Sequence, residues 1–154
     1  MKNTIQDKAK LVNSVFSKVY NKYDLMNDIM SLGIHRIWKN KFIDWMNPSR
    51  NSSLIDVASG TGDIAKLFTL RSKNLSTVTC VEPNADMYKK GKNNLIKFEN
   101  IKWIKARAET LPVEDNMFDF YSISYGIRNV SNINKTLKEA HRVLKPGGRF
   151  MCLE

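Results

Sequence analysis

The residues best suited to chemistry are two glycines and three carboxylates between positions 56 and 82. Gly60 and Gly62 follow a short apolar run, with Asp56 before them and Asp63 after them. Glu82 comes twenty residues after Gly62. Glycine lacks a Cβ, so the backbone can turn sharply there and let a ligand approach closely. This pattern predicts a strand, a binding loop and a helix that together hold a nucleotide-like ligand.

The loop by itself leaves two classes of ligand open. The run Gly60-Thr-Gly62-Asp-Ile-Ala65 also matches the Gly-x-Gly-x-x-Ala form of the dinucleotide fingerprint, with Glu82 placed for ribose hydroxyls. A pyrophosphate needs bare N–H groups at a helix N-terminus, where Asp56 and Asp63 would add negative charge. S-adenosyl-L-methionine carries a sulfonium and an ammonium, so these acids favour it over a dinucleotide. A simpler interpretation of Asp63 is that it only caps or charges the start of a helix.

The composition is that of one soluble globular domain spanning residues 1–154, with 42% apolar and 26% charged residues. No run approaches the ~20 apolar residues of a membrane span, and no secretory signal is recognisable. Cys80, Cys152, His35 and His141 do not form a disulfide or metal-ligand pattern. We therefore expect no metal and a reducing compartment. A bacterial cytoplasm is favoured over a mitochondrial matrix, because residues 1–10 lack an Arg-rich transit segment.

The formal net charge of +10 is spread along the chain rather than collected in one block. Scattered lysines do not form the basic patch of a nucleic-acid groove, so we expect no nucleic acid as partner. Salt-dependent RNA binding would support the weaker alternative of an RNA methyltransferase. Positive charge of this kind does favour transient contact with an anionic membrane surface.

Five β-rich runs alternate with helical spacing, which predicts an α/β fold with a mostly parallel sheet and helices on both faces. The predicted strands are 53–57, 77–82, 101–106, 118–124 and 149–153, and the predicted helices between them are 64–70, 85–97 and 133–144. Asn84 and either Ser131 or Asn132 are candidate helix caps. The run Lys145-Pro-Gly-Gly148 is expected to stop a helix before a turn.

Residues 1–50 are expected to form a helical cap and residues 51–154 the cofactor-binding core. Two apolar stripes have helical spacing and are expected to be buried in the core; they are Val12, Val15, Phe16, Val19 and Tyr20, and Ile34, Ile37, Trp38 and Phe42. The chain stops at Glu154, where a last parallel strand would leave an unpaired apolar edge. This predicts a product truncated before its final strands.

Three longer segments resemble the ubiquinone/menaquinone biosynthesis C-methyltransferases. They are residues 23–38, the run Tyr125-Gly-Ile-Arg-Asn-Val130, and residues 142–154 with the run Arg142-Val-Leu-Lys-Pro-Gly-Gly148. The resemblance covers nearly the whole chain. It implies a Rossmann-like class I methyltransferase that uses S-adenosyl-L-methionine to methylate a ring carbon of a polyprenylated benzoquinol or of demethylmenaquinol. It also implies contact with a prenylated quinol, the membrane surface, and a homodimer or a quinone-biosynthesis complex.

The resemblance also assigns site residues. It places the cofactor against Asp56, Gly60, Thr61, Gly62, Glu82, Arg107, Ala108 and Ser124, and it places the chemistry at Arg128, Asn129, Tyr23 and Asp24. Arginine stays protonated, so we expect Arg128 to stabilise a developing phenolate. His35 is a weaker candidate for contact with the reacting groups.

The chain departs from the family pattern at Ser59, Glu82 and Arg107, where relatives often have Gly, Asp, and Asn or Asp. Ser59 is tolerable if its φ is not positive, and Arg107 is expected to serve through its backbone. Relatives also continue for roughly a further third of the chain. Two alternatives remain. One is a truncated, non-catalytic cofactor-binding fragment or scaffold, and the other is an NAD-dependent oxidoreductase.

Overall fold

The computed structural model describes residues 34–154, which form four α-helices, five strands and one 3₁₀ turn. The helices are α1 Ile34–Met46, α2 Asp63–Arg71, α3 Ala85–Asn94 and α4 Ile133–Val143. The strands are β1 Ser53–Val57, β2 Thr77–Val81, β3 Ile101–Ile104, β4 Phe118–Ser124 and β5 Leu144–Leu153, with the 3₁₀ turn at Ile127–Asn129. The predicted sites Tyr23 and Asp24, and the predicted stripe at residues 12–20, lie outside the described residues.

The strands form a single sheet in the order β3-β2-β1-β4-β5, and each neighbouring pair is parallel. The predicted parallel α/β sheet is therefore confirmed. Chain order runs outward in opposite directions from β1 and β4, so the sheet has its topological switch point between these two strands. Open α/β sheets bind ligands outside the carboxyl ends of the strands at such a point.

Alternating residues of β1 face two different hydrophobic cores. Leu54 belongs to the core that contains the buried residues of α1 and α2, whereas Ile55 and Val57 belong to the core that contains Ala140 and Val143 of α4. Helices therefore cover both faces of the sheet, as predicted. This double burial explains why β1 reads as an almost continuous apolar run, interrupted by Asp56.

The predicted buried face of α1 is largely wrong. Phe42 is buried, but Ile34, Ile37 and Trp38 are 41%, 59% and 50% exposed in the described part of the chain. The residues that pack on the sheet are Phe42, Ile43 and Met46. The side of a helix that becomes buried depends on how tertiary contacts rotate it. In this rotation Lys39 and Asp44 of α1 form ion pairs with α2.

The prediction that Lys145-Pro-Gly-Gly148 forms a turn before the last strand is also wrong. These residues lie inside β5, which begins immediately after α4. The pairing with β4 shifts register between Phe118 and Phe120, and Gly147 has a φ of 80°. The turn-forming residues are therefore accommodated as an irregularity within the strand, because the extra length can be absorbed as a bulge.

The predicted caps are confirmed where the structure distinguishes them. The Asn84 side chain accepts hydrogen bonds from Asp86 N and Met87 N at the start of α3. Asn132, not Ser131, caps α4 by accepting from Lys135 N. Strands β2 and β3 end one and two residues earlier than predicted, and α3 ends three residues earlier. No helix between residues 34 and 154 has both the length and the apolar character needed to cross a bilayer.

Candidate functional site

Asp56 is the central acidic group of the site, near the carboxyl end of β1. Its residue is 1% exposed, and it lies directly opposite Ser122 of β4 in the strand register. Ser122 Oγ donates a hydrogen bond to Asp56 Oδ1 at 2.6 Å, while Oδ2 has no partner among residues 34–154. Burial raises the pKa of Asp56 to about 7, and the nearby charges of Asp63 and Glu82 act in the same direction. This carboxyl can therefore exchange a proton near neutral pH.

The loop after β1 depends on two glycines for different reasons. Gly60 has a φ of 57°, and a Cβ placed there would meet no atom within 4 Å. The backbone at Gly60 therefore borders open space that a ligand can enter. Gly62 has a φ of 89°, but a Cβ there would lie 2.5 Å from Leu95 Cδ1. Its small size is needed for packing beneath the loop, with Trp103 also close by.

Ser59 holds this loop against β2. Its Oγ donates to Asp56 O at 2.6 Å and accepts a hydrogen bond from Val81 N at 3.0 Å. Ser59 is not among the residues with positive φ, whereas the neighbouring Ala58 is, at 55°. The departure from glycine at this position therefore costs no backbone strain and adds a side chain that links the ends of two strands.

Glu82 connects β2 to the glycine loop. It is 4% exposed, its Oε2 accepts a hydrogen bond from Gly60 N at 2.8 Å, and its Oε1 accepts from Asn84 N at 2.8 Å. Burial raises the pKa of Glu82, although the two backbone hydrogen bonds partly oppose that rise. Each carboxylate oxygen has a second lone pair, so Glu82 can support the loop and still accept hydrogen bonds from a ligand diol.

Asp63 occupies the first position of α2 and does not cap it. The N-cap is Gly62, which makes no side-chain cap. Instead, Lys39 of α1 donates a hydrogen bond from Nζ to Asp63 Oδ2 at 2.7 Å. Asp63 therefore charges the helix start, but a cation from α1 compensates part of that charge.

The segment after β3, which is predicted from the sequence to contact adenine, includes Arg107 and Ala108. Ala108 is 7% exposed, and Arg107 forms an isolated antiparallel bridge with Thr110. The guanidinium of Arg107 is directed to Glu109 and to the hydroxyl of Ser131. It is 58% exposed, so the side chain makes surface contacts.

The end of β4 carries two buried hydroxyl groups without partners. Ser124 Oγ and Tyr125 OH make no hydrogen bond within residues 34–154. Tyr125 has a φ of 54°, which is uncommon for an aromatic residue. The next residue, Gly126, is so close to Ala58 that a Cβ on it would lie 2.6 Å from Ala58 Cβ. The loops after β1 and β4 therefore pack directly against each other at the switch point.

Arg128 and Asn129 lie in the 3₁₀ turn after β4, and Glu154 at the end of β5 holds that turn. Glu154 Oε1 accepts a hydrogen bond from Ile127 N at 2.9 Å, and Oε2 accepts from Arg128 Nε at 2.7 Å. Tyr125 N donates to Leu153 O at 2.7 Å. The guanidinium of Arg128 is 66% exposed, so it remains accessible while Glu154 fixes its direction.

These groups fit a polar ligand that carries positive charge. At the carboxyl ends of β1 and β4, three buried polar atoms lack partners among residues 34–154, namely Asp56 Oδ2, Ser124 Oγ and Tyr125 OH. Buried polar atoms are normally hydrogen-bonded, so a ligand that supplies donors to them would remove a desolvation penalty. An ammonium would suit the unpartnered carboxyl oxygen of Asp56 better than a phosphate would.

The structure brings most of the predicted cofactor residues to one edge of the sheet. Asp56 lies near the end of β1, Gly60, Thr61 and Gly62 follow that strand, Glu82 follows β2, and Ser124 ends β4. Half-buried His35 lies in the first turn of α1. Among residues 34–154, no group of three or more His, Cys, Asp and Glu side chains is arranged to hold a metal ion.

Sequence reasoning missed the functional contacts of Lys39, Ser122 and Glu154. Lys39 is 24 residues from its partner Asp63, and Ser122 is 66 residues from Asp56. No local periodicity encodes contacts of that range. Glu154 lies within one of the family segments, at the end of a strand. That position and its acidic side chain are the one sequence signal that could have predicted its contact with Arg128.

Comparison with known proteins gives the family. The family model for the ubiE/COQ5 methyltransferase family matches residues 2–154. The chain is 51% identical to a protein of Rickettsia bellii and 53% identical to one of Rickettsia typhi, each named ubiquinone/menaquinone biosynthesis C-methyltransferase UbiE. A Brucella abortus protein of the same name is 49% identical. Each alignment covers 96% of this chain but only 62%, 61% and 57% of the respective relative, so the chain spans about three fifths of their length.

Solved structures support the fold. A SAM-dependent methyltransferase from Aquifex aeolicus superposes with a TM-score of 0.65 at 21% identity, covering 70% of this chain and 58% of the other. The YcgJ protein from Bacillus subtilis superposes with a TM-score of 0.69 at 24% identity, covering 74% and 48%. At these identities the likeness shows a shared fold.

Proposed function

This chain belongs to the ubiE/COQ5 methyltransferase family, and we propose on that basis that it binds S-adenosyl-L-methionine and methylates a ring carbon of a quinol. The substrate class is a polyprenylated benzoquinol, demethylmenaquinol, or both, in line with the names of the relatives. The observation that carries the cofactor assignment is the buried carboxyl of Asp56, which has one oxygen without a partner beside an open glycine loop.

The binding roles follow the positions of the residues along the sheet edge. Asp56 and the backbone of residues 60–62 face the methionyl end, and Glu82 accepts hydrogen bonds from the ribose hydroxyls. The backbone of Arg107 and Ala108 bonds the adenine edge, and Ser124 supplies a buried hydroxyl that lacks a partner within residues 34–154. The negative charge at Asp56 is balanced when a cation binds, which makes this end of the site selective for a zwitterionic tail.

The bound cofactor supplies an electrophilic methyl group on a sulfonium. Attack by a ring carbon requires an electron-rich ring, which a quinol provides as its hydroxyl loses a proton. The guanidinium of Arg128 stabilises the developing phenolate, and Glu154 keeps that guanidinium aimed through Arg128 Nε. Asn129 is proposed to act beside it, and the family resemblance adds Tyr23 and Asp24, which lie outside the described residues. Overall a ring C–H bond is replaced by a C–CH₃ bond, the methyl–sulfur bond breaks to leave S-adenosylhomocysteine, and one proton leaves the ring for solvent.

The proposed partners follow from the lipid character of the substrate. A prenylated quinol resides in a membrane, and a chain with a formal charge of +10 is attracted to an anionic surface. We place the protein in a bacterial cytoplasm in peripheral contact with the inner membrane, with the matrix side of a mitochondrial inner membrane as the alternative. A homodimer or a quinone-biosynthesis complex is the proposed assembly.

A second candidate is a cofactor-binding chain without turnover. The chain spans 57–62% of the length of its named relatives, so turnover has to be measured on this chain separately from cofactor binding. An NAD-dependent oxidoreductase is disfavoured by the family match and by the acidic groups at the loop.

The deciding experiment follows transfer of a labelled methyl group from S-adenosyl-L-methionine to a short-chain demethylated quinol. Incorporation of label at a ring carbon supports the proposed reaction, and Arg128→Ala should reduce it strongly. The matched control is Glu114→Gln, which changes an exposed carboxyl. Binding of S-adenosylhomocysteine without turnover would favour the second candidate, whereas binding of NAD in its place would overturn the cofactor assignment.

A further inference from the structure

Lys39 of α1 reaches the start of α2 beside the glycine loop, where the proposed cofactor would place its methionyl end. We propose that Lys39 binds the α-carboxylate of the cofactor, opposite Asp56, which binds the α-ammonium. The two residues would then recognise the amino-acid tail by its two opposite charges. This inference rests on the proposed function, because it assigns a role within the same site.

The position of Lys39 supports this role. Its Nζ lies 2.7 Å from Asp63 Oδ2, one residue beyond the N-cap Gly62, and its side chain is only 15% exposed. A lysine ammonium has three N–H donors, and Asp63 accepts one of them. Within residues 34–154 the other two have no recorded acceptor, so Lys39 can bridge Asp63 and a second carboxylate.

Asp56 approaches the same place from the sheet. Along β1 it points to the same face as Leu54, whose core contains residues of α1 and α2. Lys39 and Asp63 are carried by those two helices. The unpartnered Asp56 Oδ2 and the ammonium of Lys39 therefore lie on one side of the sheet, beside the loop of Gly60.

The start of α2 also favours a negatively charged ligand group at this position. The first amides of α2 have no acceptors within their own helix and carry the positive end of the helix dipole. Without Lys39, the half-exposed carboxylate of Asp63 would repel an incoming carboxylate at the same place. Lys39 thus has two separable effects: it neutralises Asp63 and, on our proposal, it bonds the ligand directly.

The arrangement also explains why an acidic loop can accept a ligand that itself carries a carboxylate. The amino-acid tail has its carboxylate and ammonium on one carbon, so a site with a single sign of charge would attract one group and repel the other. A lysine on one side and an aspartate on the other match both groups. The pyrophosphate of a dinucleotide, which would lie at the same loop, has no cationic group to place against Asp56.

The test compares one ligand that carries the tail carboxylate with two that lack it. Binding of S-adenosylhomocysteine, decarboxylated S-adenosylmethionine and 5′-methylthioadenosine is measured by calorimetry on the full chain. Lys39→Met should weaken S-adenosylhomocysteine by about tenfold to a hundredfold, the range for a charge-assisted hydrogen bond. It should leave the two ligands without a carboxylate nearly unchanged. Lys41→Met, an exposed lysine on the same helix, is the matched control, and Lys39→Arg should retain part of the affinity.

A double variant separates the two effects. If Lys39 bonds the carboxylate, Lys39→Met combined with Asp63→Asn should still bind S-adenosylhomocysteine weakly. If the double variant recovers wild-type affinity, or if Lys39→Met weakens all three ligands equally, the proposal is overturned and Lys39 only neutralises Asp63 or supports the fold. A wild-type chain that binds none of the three ligands would instead refute the proposed function itself, which is a distinct result.

Discussion

At the scale of single residues, burial decides what each carboxyl of the site can do. Asp56 is almost fully buried with one hydrogen bond to a side chain, whereas Glu82 is held by two backbone amides and Asp63 by Lys39. The sequence predicted that these acids lie near one ligand and gave Asp56 the methionyl end and Glu82 the ribose, but it did not show how each is buried. Burial makes Asp56 a group that changes protonation near neutral pH, while Glu82 also supports the loop through its backbone contacts.

Replacing Asp56 by asparagine should stabilise the free protein in a pH-dependent way. The ordinary pKa is 3.8 and the folded value is about 7, so between these values the folded chain retains a proton that the unfolded chain has lost. The contribution of Asp56 therefore lowers the free energy of unfolding of the wild type as the pH rises from about 4 to about 7. Below that window the carboxyl is protonated in both states, and its burial does not lower the stability. Across this pH window, the free energy of unfolding of Asp56→Asn should rise relative to that of the wild type by up to about 4 kcal/mol.

Urea unfolding at pH 4, 5.5 and 7.5 measures this difference. The control variant Glu114→Gln removes an exposed carboxyl and should not reproduce the gain. A stability difference between Asp56→Asn and wild type that stays constant over the three pH values would contradict the proposed cause. The same variant should bind S-adenosylhomocysteine more weakly, because it lacks the charge that faces the ammonium.

At the scale of elements, close packing beneath the glycine loop fixes the positions of the binding residues. Helix α3 lies so near β3 that Gly91 is covered by the ring of Trp103, and Tyr88 packs edge-on against that ring at a centroid distance of 5.9 Å. Trp103 also approaches Gly62 of the loop. The loop, α3 and β3 are therefore one packed unit, and a change in α3 will be felt at the site.

Gly91→Ala tests this unit. In an ordinary helix interior this change stabilises by about 1 kcal/mol, but here the new Cβ would lie 2.2 Å from Trp103 Cη2. Overpacking of this kind costs about 1–3 kcal/mol, so we expect a net loss of stability and an altered Trp103 fluorescence. Lys92→Ala, at the next and exposed position of α3, should be close to neutral. A Gly91→Ala chain as stable as wild type would refute the packing argument.

At the scale of the whole molecule, the binding residues come from separate parts of the chain and meet only in the folded state. Asp56, Glu82 and Ser124 lie at the carboxyl ends of three different strands, and Lys39 comes from a helix that precedes them all. A ligand that touches all of them binds the folded chain and not the unfolded one. Its binding free energy is therefore added to the stability of the whole domain.

Saturation with S-adenosylhomocysteine should raise the free energy of unfolding by about 2.7 kcal/mol at a ligand concentration of 100 times Kd. Differential scanning calorimetry with increasing ligand measures the effect as a rising Tm. NAD at the same concentrations should produce no shift, because its pyrophosphate would meet the acidic loop. A Tm that rises with NAD and not with S-adenosylhomocysteine would reverse the choice of cofactor.

The sequence alone determined the order of strands and helices, the glycine loop, the helix cap at Asn84, and the family, and it narrowed the cap of α4 to Ser131 or Asn132. Each of these depends on residues that are neighbours along the chain, because backbone propensity, capping and periodicity act over a few positions. A family signature likewise consists of contiguous runs.

Tertiary structure alone decided which face of α1 is buried, that residues 145–148 belong to β5, and which residues pair across the site. The contacts of Asp56 with Ser122 and of Asp63 with Lys39 arise from strand register and from the rotation of α1 on α2. Both depend on how side chains from distant segments fill a shared core, and no short window of sequence contains that information.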